Sequence, residues 1–185
     1  MYPLPVTKAM DEVDAILEQW SRERPEIDVS AMAIVGRISR LEKLIAPRLD
    51  SAFSRHGLES WEFDVLATLR RHAPPHQLTP GALIVASMIT SGAMTNRIDR
   101  LEQRGFVKRS KSPRDGRQIL VTLTKPGVRK IDAALIDHAA NEIEIVSVLN
   151  ERQKQQLIRL LRILHTALEA RSPGVGSDDR GLEHS

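Results

Sequence analysis

The chain has 185 residues, 41% hydrophobic but only 3% aromatic, which predicts one domain with extensions and a core of Leu, Ile, Val and Ala carried on helices. It contains no cysteine, which excludes disulfides, thiolate nucleophiles, cysteine-based metal sites and thiol redox sensing. No run of about 18 apolar residues and no charged-then-apolar amino-terminal leader is present, so no membrane partner is predicted and a cytoplasmic location is expected.

The first six residues hold two prolines and read as a loose start. Residues 6–22 then place Met10, Val13, Ile16, Leu17 and Trp20 close to helical spacing, and Pro25 closes that helix. A second helix is predicted from a cap at Asp28 or Ser30 to about Arg55, with Met32, Val35, Ile38, Leu41, Leu44, Ile45 and Leu49 on its apolar side. Pro47 falls inside it, so a kink over 43–46 or a short break is expected. Ser60 is the predicted cap of a third helix reaching Arg71, and HAPPHQL (72–78) reads as a loop. Thr79 with Pro80 opens a short helix to about Ala86, and residues 87–90 form the turn before the next helix.

That next helix runs up to Gly105, and residues 107–111 and 118–123 follow as two antiparallel strands. Their connection SPRDGR (112–117) holds Pro113 and an Asp-Gly pair, good turn chemistry. Thr124 caps a long helix over 125–149, and Asn150 with Gln153 forms a capping-box pattern for a last helix ending near Arg171. Residues 172–185 have little to bury and are predicted to be a disordered tail. The long helices at both ends offer more apolar surface than a small domain can cover, so a homodimer is expected.

Charge is concentrated on one unit. From Arg97 to Arg117 eight Lys or Arg stand against three Asp or Glu, so the segment carries +5, the chain totals +3 and the remainder sums to −2. At about 100° per residue, Met94, Ile98 and Leu101 share an inward stripe. Gly92, Asn96, Asp99 and Gln103 fall opposite, with Ser91, Thr95 and Arg100 further round. Such a face can be ordinary solvated surface. Followed by a basic hairpin bearing Lys111, Arg114, Asp115 and Arg117, it fits a recognition helix in a major groove and a wing beside it. The sequence therefore predicts a mainly α, winged helix-turn-helix fold with an α+β wing.

Catalytic signatures are lacking: there is no GxSxG, HExxH, phosphate-loop or dinucleotide fingerprint. The histidines are His56, His72, His76, His138, His165 and His184; Pro74 and Pro75 between His72 and His76 forbid a regular helical metal pair. No enzyme, metal or cofactor is predicted.

The order helix, helix, helix-turn-helix, wing and two long helices resembles the MarR family of bacterial transcription regulators. The resemblance spans roughly residues 30–170 and is carried by SGAMTNRIDRLEQRGFV (91–107), Asp115-Gly-Arg117 and VTLTKPG (121–127). It implies that Arg117 reaches a minor groove with Asp115 orienting it. EQWSRERPEIDVSAMAIVGRISRLEKLI, the Leu-Asp pair at 49–50 and EFDVLATLRRHAPP (62–75) are similar to the PecS-like, urate-responsive branch of the family. That branch has an extra amino-terminal helix, here within residues 1–56, whose helices are expected to contribute to the dimer region. The winged domain then occupies 57–124 and the carboxy-terminal dimerisation helices 125–171.

The resemblance further implies a ligand pocket holding Trp20, Asp64, Arg97 and Arg109, with urate or a related purine anion as effector and a palindromic double-stranded DNA operator as partner. Read on the helical wheel alone, Arg97 lies about 60° from Met94, beside the inward stripe and pointing toward its own domain. It suits either a structural ion pair or a guanidinium fork for a planar anion. Arg109 fits a phosphate or a ligand equally well. Asp64 is expected to pair with the two arginines when no anion is present. Trp20 reads as a core-sealing aromatic or as a pocket lid. The alternatives are a sensor of a different anion or phenolic compound, and a constitutive DNA-architectural protein.

Overall fold

The computed structural model describes residues 10–87, 90–113 and 115–171. The predicted loose start, the middle of the 87–90 turn, Arg114 and the predicted disordered tail lie outside the described residues. The chain divides into two compact units, one reaching Ile145 and one beginning at Val146.

Helix α1 (Glu12–Glu23) starts at a cap on Asp11 rather than at residue 6. Asp11 Oδ1 accepts the N–H groups of Val13 (2.8 Å) and Asp14 (3.0 Å), while Asp14 Oδ2 accepts that of Asp11 (3.0 Å), closing a capping box. Helix α2 (Met32–Arg55) packs α1 and is tied to it by Arg37, which reaches Asp11 at 2.8 Å and Asp14 at 2.7 Å. Neither predicted residue caps α2: Asp28 Oδ1 accepts the Ser30 N–H at 2.9 Å in a turn ahead of the helix, which opens at Ala31 without a side-chain cap. Pro47 does not break it. The helix runs on through the proline despite the one missing N–H; it packs along a later helix, whose Asn141 side chain donates to the Arg48 carbonyl at 3.0 Å.

Helix α3 (Ser60–Arg70) is capped by Glu59, not Ser60. The Glu59 N–H donates to Glu62 Oε2 at 3.0 Å, and the Ser60 hydroxyl instead donates to Asp50 on α2 at 2.7 Å. Strand β1 (Gln77–Leu78) replaces the end of the predicted loop. Helix α4 (Pro80–Ser87) opens as predicted, with Thr79 Oγ1 accepting the Ala82 N–H at 3.1 Å. Helix α5 (Ser91–Gln103) follows, then β2 (Val107–Lys111) and β3 (Ile119–Leu123). The sheet is antiparallel with order β1-β3-β2, pairing Leu78 with Val121 and Arg109 with Val121.

Helix α6 (Lys125–Ile145) is capped by Thr124, whose Oγ1 accepts the Gly127 N–H at 3.1 Å. It stops short of the predicted residue 149. Two glycines are set by geometry. Gly105 (φ +70°) lets α5 end in a turn where Gly105 N–H reaches Glu102 O (2.8 Å) and Phe106 N–H reaches Leu101 O (3.0 Å). Gly127 permits close approach: a Cβ there would lie 2.0 Å from the Phe106 carbonyl oxygen.

The core joins α3, α4, α5, α6 and the sheet through Val65, Leu66, Leu69, Leu83, Met94, Ile98, Leu101, Val121 and Ile131, each essentially inaccessible. In the second unit, α7 (Glu151–Glu169) carries the predicted capping box: Asn150 N–H to Gln153 Oε1 at 2.9 Å, and Gln153 N–H to Asn150 Oδ1 at 3.0 Å. No helix among the described residues is long and apolar enough to cross a membrane.

Candidate nucleic-acid interface and ligand site

Met94, Ile98 and Leu101 anchor α5 in the core, which turns Ser91, Gly92, Thr95 and Asn96 to solvent. The helix begins at Thr90, whose Oγ1 accepts the Ala93 N–H at 3.4 Å. Two other residues predicted on that face are already engaged. Asp99 is half-buried and accepts from Arg109 Nη2 at 2.5 Å; Arg100 is exposed but donates to Glu59 Oε1 at 2.5 Å.

At the wing, Lys111, Asp115 and Arg117 are exposed. Asp115 Oδ1 accepts the Arg117 N–H at 3.0 Å, so the aspartate shapes the backbone from which the Arg117 side chain departs. Ser112 N–H to Gln118 O (2.8 Å) and Gln118 N–H to Asp115 O (2.9 Å) hold the loop closed. Arg114 lies outside the described residues.

Strand alternation accounts for Arg109. In β2, Val107, Arg109 and Lys111 share a face, and Val107 is buried in the core, so Arg109 stands on the side turned to α5. There Glu102 binds it twice, at the backbone N–H (Oε1, 2.7 Å) and at Nη1 (Oε2, 2.7 Å), and Asp99 takes Nη2. Partial burial works against the charge, but the hydrogen bonds to Asp99 and Glu102 outweigh it and raise the Arg109 pKa above the ordinary arginine value. The wing is thereby pinned to the recognition helix.

Of the four residues expected to bind ligand, the structure brings Asp64 and Arg97 into electrostatic contact. Loss of hydration raises the Asp64 carboxyl above the usual carboxylate range, against the opposing pull of Arg97, His138 and Arg71. Yet no ion pair joins Asp64 to Arg97 or Arg109 among the described residues. The expectation that Asp64 pairs with both arginines therefore fails, because Asp99 and Glu102 occupy Arg109 and Arg97 lies toward the Trp61 ring instead, its Cζ 5.7 Å from the centroid. Trp20 does not seal the core; it is 42% exposed on α1. A hollow of about 440 Å³ between α1 and α2 is lined by Asp11, Val13, Arg37, Arg40, Leu41 and Leu44 and includes none of the four.

Sequence reasoning passed over several residues here. Glu59, Trp61 and Glu62 at the start of α3 all reach α5: Trp61 stacks under Arg100 with Cζ 4.6 Å from its centroid, and Glu62 is paired with Arg104. His138 on α6 packs against Phe63 (4.7 Å) and Phe53 (5.2 Å), next to Asp64. Its Nδ1 is buried without a hydrogen-bond partner among the described residues. His72 and His76 use their Nδ1 atoms on the carbonyls of Thr68 (2.7 Å) and His72 (2.6 Å).

A helix anchored behind α3 and α4, with a polar outer face and a basic two-stranded hairpin, defines a winged helix-turn-helix protein. The MarR family model matches residues 56–118. The chain is 40% identical to the HTH-type transcriptional regulator PecS of Dickeya dadantii over 150 residues, 81% of this chain and 90% of that protein. Among solved structures it is similar to AbsC, a MarR family transcriptional regulator from Streptomyces coelicolor (TM-score 0.71, 17% identity, 78% of this chain and 98% of that one). It is also similar to a mutant MarR from E. coli complexed with operator DNA (TM-score 0.63, 26% identity, 75% of this chain and 99% of that one). This chain belongs to the MarR family of DNA-binding transcriptional regulators.

Proposed function

We propose that this regulator, acting mainly as a repressor, binds a palindromic DNA operator as a homodimer and is released by a small anionic ligand, urate or a related purine. One observation carries the reading: α5 presents two different chemistries on one rigid body. Ser91, Gly92, Thr95 and Asn96 face solvent, while Arg97, three residues from the buried Met94, is half-buried near Asp64. A ligand that draws on Arg97 therefore acts directly on the element that reads DNA.

The DNA contacts would come from Ser91, Gly92, Thr95, Asn96, Asp99 and Arg100 in the major groove, with Lys111, Arg114, Asp115 and Arg117 at the wing. Half-site centres about 34–36 Å apart are expected for two-fold docking. The similarity to the operator-bound E. coli MarR supports the docking mode. Dimerisation draws support from exposed apolar residues on α2 (Ile34, Val35, Ile38, Leu41) and, separately, on α7 (Leu157, Leu160, Leu161, Leu164). Residues 1–56 and 125–171 would then serve the dimer, and 57–124 the DNA.

For the effector, Arg97 and Arg109 offer guanidinium forks, Asp64 a carboxylate that disfavours its own charge, and Trp20 an exposed aromatic face. An anion reaching Arg109 must compete with Asp99 and Glu102, loosening wing from recognition helix as it binds. Differential affinity for the two conformers sets the response; a coupling of ~1–3 kcal/mol is typical. Titrating urate into operator complexes of Arg97→Gln and Asp64→Asn tests the assignment. Both should lose urate response more than they lose DNA affinity, and an intact response in both would refute the pocket.

A further inference from the structure

Trp61 is the second residue of α3, half-buried and packed against the core. Two arginines of α5 use the same indole: the Cζ of Arg100 lies 4.6 Å from its ring centroid and that of Arg97 lies 5.7 Å. Trp61 Nε1 donates to Glu59 Oε2 at 2.7 Å, and the other oxygen of Glu59 takes Arg100 Nη2 at 2.5 Å. Trp61 and Glu59 thus form a cradle for Arg100 whose aromatic wall is shared with Arg97.

We infer that Trp61 is the positioning residue through which neutralisation of Arg97 is felt at Arg100. The inference rests on the reading of α5 as recognition helix with Arg97 on its ligand side. The face of an indole attracts cations through its quadrupole, and two cations held beside one ring repel each other. When an anion satisfies Arg97, that repulsion falls and Arg100 settles deeper onto Trp61 and Glu59, withdrawn from the DNA groove. When DNA takes Arg100, the ring is left to Arg97, which becomes less available to an anion. The two effects are one coupling seen from either site. Its sign is that of a repressor released by an anion, and no change of fold is needed.

The test is a double-mutant cycle on operator affinity with no effector present, in which Arg97→Gln mimics neutralisation. In the wild-type background Arg97→Gln should weaken DNA binding about two- to fivefold, the range of an exposed charge contact. The same substitution should have a smaller effect in a Trp61→Leu background, and an undiminished one in a Trp61→Phe background, which keeps an aromatic face. Equal effects in the wild-type and Trp61→Leu backgrounds overturn the inference. So does a Trp61→Phe background that behaves like Leu.

Glu59→Gln leaves Trp61 and the core in place and gives a reading even if Trp61→Leu does not fold. It should tighten DNA binding about two- to fivefold by freeing Arg100, and unchanged or weaker binding overturns the inference. A urate arm separates this from the effector proposal. A cycle that shows coupling while urate leaves the wild-type complex intact refutes the effector and keeps Trp61 in its role. Urate release that is equal in wild type and Trp61→Leu keeps the effector and refutes Trp61.

Discussion

Glu62 on α3 and Arg104 at the end of the recognition helix form an ion pair in which the carboxylate is wholly buried and the guanidinium side chain stays 37% exposed. Arg104 also donates to the Gly57 carbonyl at 2.7 Å, and Glu62 Oε2 receives the Glu59 N–H at 3.0 Å. The pair therefore fixes the carboxy end of α5 against the start of α3, and its two halves are not equivalent. Arg104→Met strands a buried carboxylate and should cost ~3–5 kcal/mol. Glu62→Met leaves a cation that can return to water and should cost only ~1–3 kcal/mol. Urea unfolding of both variants checks the order; the reverse order would contradict the burial argument.

Part of this pair was legible in the sequence. Glu62, Leu66 and Leu69 lie at helical i, i+4, i+7 spacing, which places the glutamate on the buried face, and Arg109 likewise follows Val107 at strand spacing. The partners were not legible, because periodicity says which face is inward and not what stands opposite it. Strand β1 escaped for a different reason: two residues carry no alternation, and Gln77–Leu78 is a strand only because β3 lies beside it. Ser60 has a good capping side chain, but Asp50 claims it and Glu59 takes the cap. Met94, Ile98 and Leu101 were read correctly as the inner stripe of α5, since a helix wheel needs no partner to be drawn. Of the α1 stripe, Val13 is buried while Met10, Ile16 and Trp20 stay exposed, and whether a second body covers a side chain is not encoded in its spacing.

Arg109 is held by Asp99 and Glu102. If an anion must displace those carboxylates, Glu102→Gln should bind urate about two- to fivefold more tightly, and Arg109→Gln should bind it more weakly. Calorimetric titration of the two variants checks both directions. Equal affinity in Glu102→Gln and wild type would separate Arg109 from the ligand.

Asp64 should leave a mark on the pH dependence of stability. Its carboxyl is raised above 3.8, first by lost hydration and in spite of Arg97. The folded state therefore holds this proton more tightly than the unfolded chain does. The resulting stability is fully present below the unfolded value near 3.8 and is lost as pH rises through the higher folded value. At neutral pH the charged carboxylate is a net burden, so Asp64→Asn should melt higher than wild type, with the difference shrinking toward acid pH. Because Asp64 remains open to solvent, screening should keep the gain below ~1 kcal/mol. Thermal melts between pH 4 and 8 check it, and a lower melting point for Asp64→Asn at neutral pH would contradict the assignment.

On the outer face of α5, Asn96→Ala and Arg100→Ala should each weaken operator binding by ~1–3 kcal/mol if they read base edges. Neither side chain is buried in the core, so circular dichroism and melting should stay close to wild type. Undiminished affinity in both would remove α5 from the groove.

The most direct test of the whole account is fluorescence anisotropy of the purified protein on the DNA upstream of its own gene, with urate titrated in at fixed salt. The account predicts a tight, sequence-specific complex that dissociates as urate rises. Binding without sequence preference would contradict the operator reading, and a specific complex indifferent to urate would contradict the effector.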